Sequence, residues 1–389
     1  MQPRDDYLVF GQPLIEDDDI EEVVKTLRSG WIGTGPKVAK YETEFKEYVG
    51  NKYAVALNSC TAALHLACLS IGVQPGDEII TTSMTFCATV NAVIHAGATP
   101  VLTDIDPETR LISPNEIRKK ITNRTKAILL VHYTGLPCDM TEIKKIADEY
   151  GLRIIGDCAH AVETEWEGKN VSQFAELNCY SFYVTKNITT AEGGMITTDD
   201  EALANKIKIL ALHGMDKDAW KRFSDEGYKH YQVVYSGFKY NMTDIQASLG
   251  IHQLSRIEQN YERRAAIWNR YVEELSHTGL ELPPDLSHDK GKHGLHLFTL
   301  LANPKKVALT RDQWLLELHK MNIGTGVHYL GLFEYDYYQK LFGWRSLDYP
   351  NAKHVSDQTF SIPLSPKLSD NDVTYVIESI KYLSNKFGR

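Results

Sequence analysis

From residue 50 onward, short runs of apolar and β-branched residues alternate with longer stretches of helical periodicity. The runs are YAVAL (53–57), EIITTS (78–83), PVLTDI (100–105), AILLVHY (127–133) and LRIIGD (152–157). Between them lie helical patterns over 61–71, near 87–96, near 114–121 and over 139–150. Strands and helices in this order predict a largely parallel sheet covered on both faces. CYSFYV (179–184) and GGMITT (193–198) close that sheet.

Near residue 243 the pattern changes. Thr243 and Gln246 form a capping-box pair that opens a helical stretch expected to run to about Leu275. The domain boundary falls inside it. Strand-like LHLFTLL (295–301) and a helix over 370–386 then describe a smaller α+β part. The expected organisation is an N-terminal arm over 1–30, a large domain over 31–255 and a small C-terminal domain over 256–389. Residues 213–238 are aromatic and charged without a sustained period, and a loop of that length is expected to be functional or donated to a neighbour.

A chain of 389 residues exceeds the size at which one core stops growing, in keeping with two unequal domains. The formal charge of −9, from 42 basic and 51 acidic residues, disfavours nucleic acid as a partner but leaves room for a local phosphate site. Six cysteines at 60, 68, 87, 138, 158 and 179 form no CxxC, which reads as reduced thiols of a cytoplasmic protein. Neither a signal-peptide order at the N-terminus nor an apolar run of membrane length is present, so export and membrane insertion are not expected.

Three places carry candidate chemistry. In ALNSCTAALHLACLSIG a strand runs straight into a helix through Asn58, Ser59, Cys60 and Thr61. Free amides at a helix start, with the helix dipole behind them, form an anion site, although Ser59 or Thr61 is equally the residue type of a plain N-cap. In LRIIGDCAHAVET, Asp157 ends a buried-looking strand, at the edge where open parallel sheets bind ligands. It can cap a turn, or it can face a protonated heterocycle such as the pyridinium of pyridoxal phosphate (PLP). His160 follows and could lie beside such a ring. In CYSFYVTKNITTAEGGMITT, Lys186 sits among small polar residues after Ser181, where a desolvated amine could form a Schiff base. Phosphate turn, strand-end aspartate and lysine in that chain order are the parts of a PLP site.

The chain resembles, nearly end to end, the sugar-nucleotide aminotransferase family of fold-type-I PLP enzymes, the VioA and perosamine synthase type. GWIGTGPK (30–37), CTAALHLA (60–67), GDEIITTSMTF (76–86), VHYTGLP (131–137), GDCAHA (156–161), SFYVTKNITTAEGG (181–194), GFKYNMTDIQAS (237–248) and IGTGVHY (323–329) carry the resemblance. TKAILLVHY, KNITTAEGG and IGTGVHY are similar to segments of the enzyme that aminates UDP-4-keto-arabinose in lipid A modification. The resemblance implies an α/β fold, a large domain with a mostly parallel mixed sheet and a smaller α+β domain. It implies that Lys186 bonds covalently to the cofactor and moves the proton between substrate carbon and cofactor. Asp157 would pair with the pyridine nitrogen, Phe86 would stack on the ring and His160 would lie beside it. The Cys60 and Thr61 amides and the Ser181 hydroxyl would hold the phosphate, joined by Asn241 from the second subunit of a homodimer. His328 and Tyr329 would meet the substrate. That substrate would be a nucleotide-linked keto sugar aminated at C4, with L-glutamate as donor, in amino sugar biosynthesis for lipopolysaccharide, other surface polysaccharide or natural-product glycosylation. No metal is expected.

Gly156 stands where the family usually carries an acidic residue, and Cys60 where it carries Gly or Ala. A nucleotide-binding dehydrogenase would need a G-x-G-x-x-G at the first strand-helix turn, which is absent. Amination at C3, a cyclitol substrate and a non-catalytic homologue on the same fold are the remaining alternatives.

Overall fold

The computed structural model describes residues 1–216, 231–284 and 290–389. Two helices precede the sheet, α1 (Asp17–Ser29) and α2 (Pro36–Val49). Each stops at a glycine in the left-handed region, Gly30 at φ 74° and Gly50 at φ 78°, where a side chain would be strained.

The alternating segment follows as β1 (Tyr53–Leu57), α3 (Cys60–Ser70), β2 (Glu78–Thr82), α4 (Cys87–His95), β3 (Thr99–Thr103) and α5 (Pro114–Lys120). It continues through β4 (Thr125–Val131), α6 (Met140–Tyr150), β5 (Arg153–Asp157), a short hairpin of β6 (Glu165–Trp166) and β7 (Lys169–Asn170), then β8 (Leu177–Ser181), β9 (Gly194–Thr198) and α7 (Glu201–Ala211). Among the described residues the main sheet has the order β1-β9-β8-β5-β4-β2-β3. Pairings are parallel from β8 through β5, β4 and β2 to β3, while β9 runs antiparallel to both β1 and β8. The sheet is therefore mostly parallel and mixed, as expected.

The two-residue period of the strands sorts their side chains into two cores. Ala54, Ala56, Ile128 and Leu130 face one core, with Tyr41 and Phe45 of α2 and Ile143 of α6. Val55, Leu57, Ala127 and Leu129 face the other, with Leu64 of α3, Val93 of α4 and Ile207 of α7. Burial on both faces accounts for the near-continuous apolar runs. The carboxyl ends of β5 and β8 and the start of α3 then converge at one edge.

The expected helix from 243 to 275 is two helices, α8 (Asp244–Ser255) and α9 (Ile257–Leu275). The capping box is made, with Gln246 N donating to Thr243 Oγ1 at 3.4 Å and Thr243 N to Gln246 Oε1 at 3.0 Å. The break falls at Arg256 (φ −102°, ψ 6°), whose guanidinium meets Glu16 at 3.2 Å, Asp18 at 2.7 Å and Asp19 at 2.6 Å.

The remaining elements are β10 (Gly291–Lys292), β11 (Phe298–Leu301), α10 (Arg311–Lys320), α11 (Asp336–Phe342), α12 (Pro350–Gln358), β12 (Thr359–Ile362) and α13 (Asp370–Phe387). The expected strand over 295–301 is realised only from Phe298, because Leu295 takes φ 48°. Antiparallel β11 and β12 pack over Tyr271, Trp314 and Ile377 in a further core. Of the segment 213–238, residues 217–230 lie outside the described residues. Its flanks pair antiparallel, Leu212 with Lys239 and Met215 with Val233. Among the described residues no helix is long and apolar enough to cross a membrane.

Candidate active site

A cavity of about 490 Å3 opens at the carboxyl edge of the sheet. Its wall includes Cys60, Thr61, Phe86, Asp157, His160, Ser181, Lys186, His328 and Tyr329. Of the residues to which the resemblance gives a role at the site, Asn241 is absent from that wall. It bridges Leu57, and its Nδ2 donates to Thr34 Oγ1 at 2.6 Å.

The floor begins at the turn into α3. Ser59 is extended (φ −167°, ψ 158°) and is the N-cap, its Oγ accepting from Ala62 N at 3.1 Å and its carbonyl from Ala63 N at 3.1 Å. The plain N-cap reading therefore holds for Ser59. The amides of Cys60 and Thr61 have no acceptor among the described residues, and they point the positive end of α3 at the cavity. Opposite them, Ser181 Oγ accepts weakly from Tyr183 N at 3.4 Å, which leaves its own hydrogen to donate.

Asp157 ends β5 and is buried. Thr89 Oγ1 donates to its Oδ2 at 2.9 Å and Ala159 N to its Oδ1 at 3.1 Å. Burial pushes the carboxyl above its usual range, opposed by the Thr89 and Ala159 hydrogen bonds and the Lys186 charge. Thr89 and its partner Thr85, 2.7 Å away, were not singled out from the sequence. Their signal is two hydroxyls one helical turn apart, flanking Phe86 at the entry to α4.

Lys186 lies in the turn after β8, its N–H donating to the Tyr183 carbonyl at 2.9 Å. Its amine makes no hydrogen bond or ion pair among the described residues. Burial lowers its pKa to about 8, against the pull of Cys60 and Asp157. The next residue is fixed by a partly buried chain: Asn187 Nδ2 donates to Glu163 Oε2 at 2.9 Å, and His296 Nδ1 donates to Asn187 Oδ1 at 2.9 Å.

His160 accepts from Thr134 N at Nδ1, 3.2 Å, so its hydrogen sits on Nε2 and points to the Tyr329 hydroxyl at 3.1 Å. Burial, then the charges of Lys186 and the neighbouring histidines, holds it neutral. His328 is bonded to Ser361 Oγ at 2.9 Å, stacks on Phe10 at 5.4 Å, and is lowered to about 4 by burial. Phe86, 58% exposed, stands at the rim 6.0 Å from the Tyr329 ring.

The departure at Gly156 has a local cause, since a β-carbon there would lie 2.9 Å from Asn178 Oδ1 and 3.3 Å from Cys158 Sγ. Cys60 is accommodated with its Sγ 3.7 Å from the Cys179 carbonyl.

Unpaired helix-start amides, a hydroxyl free to donate, a buried carboxylate and a half-buried amine, unpaired among the described residues, around one cavity match the phosphate, ring nitrogen and aldehyde of PLP. With this sheet order they define the class, a fold-type-I PLP enzyme. The chain belongs to the DegT/DnrJ/EryC1/StrS aminotransferase family, which it matches over residues 13–381. It is 46% identical to the spore coat polysaccharide biosynthesis protein SpsC of Bacillus subtilis, over 98% of either chain. It superposes with a TM-score of 0.91 on the PLP form of Spr1654 from Streptococcus pneumoniae, a candidate sugar aminotransferase, at 32% identity over 98% of this chain and 100% of that one. PseC of Helicobacter pylori, an aminotransferase involved in the biosynthesis of pseudoaminic acid, superposes with a TM-score of 0.90 at 28% identity, over 98% and 100% of the two chains. The cofactor is pyridoxal 5′-phosphate.

Proposed function

We propose that this protein transfers an amino group from L-glutamate to a nucleotide-linked keto sugar, at C4 of a 4-keto-6-deoxyhexose or a 4-ketopentose such as UDP-4-keto-arabinose. The observation that carries the catalytic part is the Lys186 amine, half-buried, without a partner among the described residues and lowered to about 8, in the cavity that also holds Asp157. The sugar is supported by similarity to SpsC, a spore coat polysaccharide biosynthesis protein, and to PseC, an aminotransferase involved in the biosynthesis of pseudoaminic acid. The nucleotide link and C4 rest on the motif resemblance.

In this reading Lys186 holds the cofactor's aldehyde carbon, Asp157 its ring nitrogen and Phe86 one face of its ring. The Cys60 and Thr61 amides and the Ser181 hydroxyl hold its phosphate. When bound, PLP supplies a ring that draws electrons from the substrate carbon. The Lys186 amine, titrating near working pH, takes a proton from that carbon and returns one. His160, neutral, keeps Tyr329 turned toward the cavity, and His328 and Tyr329 meet the sugar. Asn241 reaches the phosphate of the partner's site in a homodimer, and the segment 213–238 helps form the neighbouring pocket. The large domain ends at 255 and the small one begins at 256, at the break between α8 and α9. The protein works in the cytoplasm.

The test has two stages. L-glutamate should bleach the visible band of the holoenzyme, and addition of keto sugar nucleotides one by one should restore it with a single member. Restoration by a 3-keto sugar or a cyclitol ketone instead would move the substrate assignment while keeping the aminotransferase. A holoenzyme that glutamate leaves unchanged would contradict the donor.

A further inference from the structure

Asp157 is held from two directions. The Ala159 amide reaches Oδ1 along the backbone after β5, while Thr89 Oγ1 reaches Oδ2 at 2.9 Å from α4. Thr89 is 1% exposed and Thr85 is 2% exposed, so neither hydroxyl has bulk water as an alternative partner. A hydroxyl carries one hydrogen, and an ionised carboxylate only accepts. With the Thr89 hydrogen committed to Asp157, the 2.7 Å contact between the two threonines requires Thr85 to donate to Thr89. The chain is thus directional, from Thr85 through Thr89 to Asp157, and each hydrogen bond polarises the next.

We propose that Thr89 is a positioning residue that holds the Asp157 carboxylate in the orientation and charge state needed to pair with the cofactor's ring nitrogen. This rests on the assignment of Asp157 to that nitrogen. Burial alone drives Asp157 toward its neutral form, and among the forces that oppose it the Thr89 hydrogen bond is the largest, ahead of the Ala159 amide and the Lys186 charge. A neutral Asp157 would lose its attraction for a protonated ring nitrogen, so the hydroxyl of Thr89 acts on the cofactor through the carboxylate.

The experiment titrates the full-length apoenzyme with two ligands, PLP and the analogue in which the ring nitrogen is replaced by C–H, following protein fluorescence. Thr89→Val and Thr89→Ala delete the hydroxyl and Thr89→Ser keeps it. The expected result is a PLP affinity lowered about tenfold in both deletions, the size of a hydrogen bond to a charged group. Affinity for the analogue should be unchanged or improved, and Thr89→Ser should restore the wild-type ratio. Equal losses for the two ligands, or no loss for PLP, would overturn the role of Thr89. A wild-type protein that binds both ligands equally would overturn the assignment of Asp157 itself, and the proposal with it.

Discussion

Gly194 lies against the backbone of Ser59: a β-carbon at position 194 would stand 2.4 Å from the Ser59 carbonyl carbon and oxygen and 2.6 Å from Cys60 N. Gly194 is also paired with Ser181 across β8 and β9, so one close approach registers the helix-start amides against the Ser181 hydroxyl. Because the colliding atoms are backbone, the strain of a side chain here cannot be relieved by a rotamer change. Gly194→Ala is expected to lower stability by ~1–3 kcal/mol and to weaken PLP binding as the turn is pushed away. Urea unfolding and a PLP titration check both effects; a variant with unchanged PLP affinity would show that the turn does not hold the phosphate.

The lowered pKa of Lys186 sets how the apoenzyme takes up its cofactor. Only the neutral amine attacks an aldehyde, and its fraction rises roughly tenfold per pH unit below the pKa and then saturates. The rate of covalent PLP attachment should therefore climb with pH and level off near pH 8. A rate still climbing at pH 10, as for a solvated lysine, would contradict the desolvated pocket. Stopped-flow absorbance measures it.

Several histidines, one buried and two half-buried, are held neutral. Burial holds His132 and His293 at about 3 and His328 at about 4, each below its unfolded value. Between those values and the unfolded pKa near 6.5, the unfolded chain binds more protons than the native one, so stability rises with pH across that window. Acidification from pH 6.5 toward 4 is expected to lower the unfolding free energy by ~1.4 kcal/mol per pH unit for each histidine still neutral. Urea midpoints measured across that range check the slope.

Arg264 of α9 and Glu163 form an ion pair with both side chains buried, and Arg264 Nε and Nη1 have no partner among the described residues. Removing one partner strands the other charge. Arg264→Met should cost ~3–5 kcal/mol, and Arg264→Met with Glu163→Leu should recover most of it. Additive losses in the double variant would show that the pair is not coupled. Because Glu163 also accepts from Asn187, the single variant should disturb the turn that carries Lys186 as well.

The strands of the main sheet were legible because each is a short β-branched run buried on both faces, and the capping box at Thr243 because its signal is local. The split at Arg256 was not, since no Gly or Pro marks it; three carboxylates at the start of α1, its N-cap Glu16 with Asp18 and Asp19, distant in sequence, hold the residue that ends α8. Helix α1, with Asp17, Asp18 and Asp19 in its first turn, lies within the expected N-terminal arm. At the site, Asp157, Ser181 and Lys186 could be found because strand ends are visible in a sequence. Thr89 could not, because Asp157, the carboxylate it donates to, lies on a different strand-helix unit. Asn241 lies outside the cavity wall of its own chain, and the expected role for it belongs to a second subunit.

The most direct test of the account is to reduce the holoenzyme with borohydride, digest it and locate the cofactor-labelled peptide by mass spectrometry. The account predicts a single label, on Lys186, and none in Lys186→Ala protein that still unfolds cooperatively. A label on another lysine, or an unlabelled Lys186 in protein that carries PLP, would contradict it.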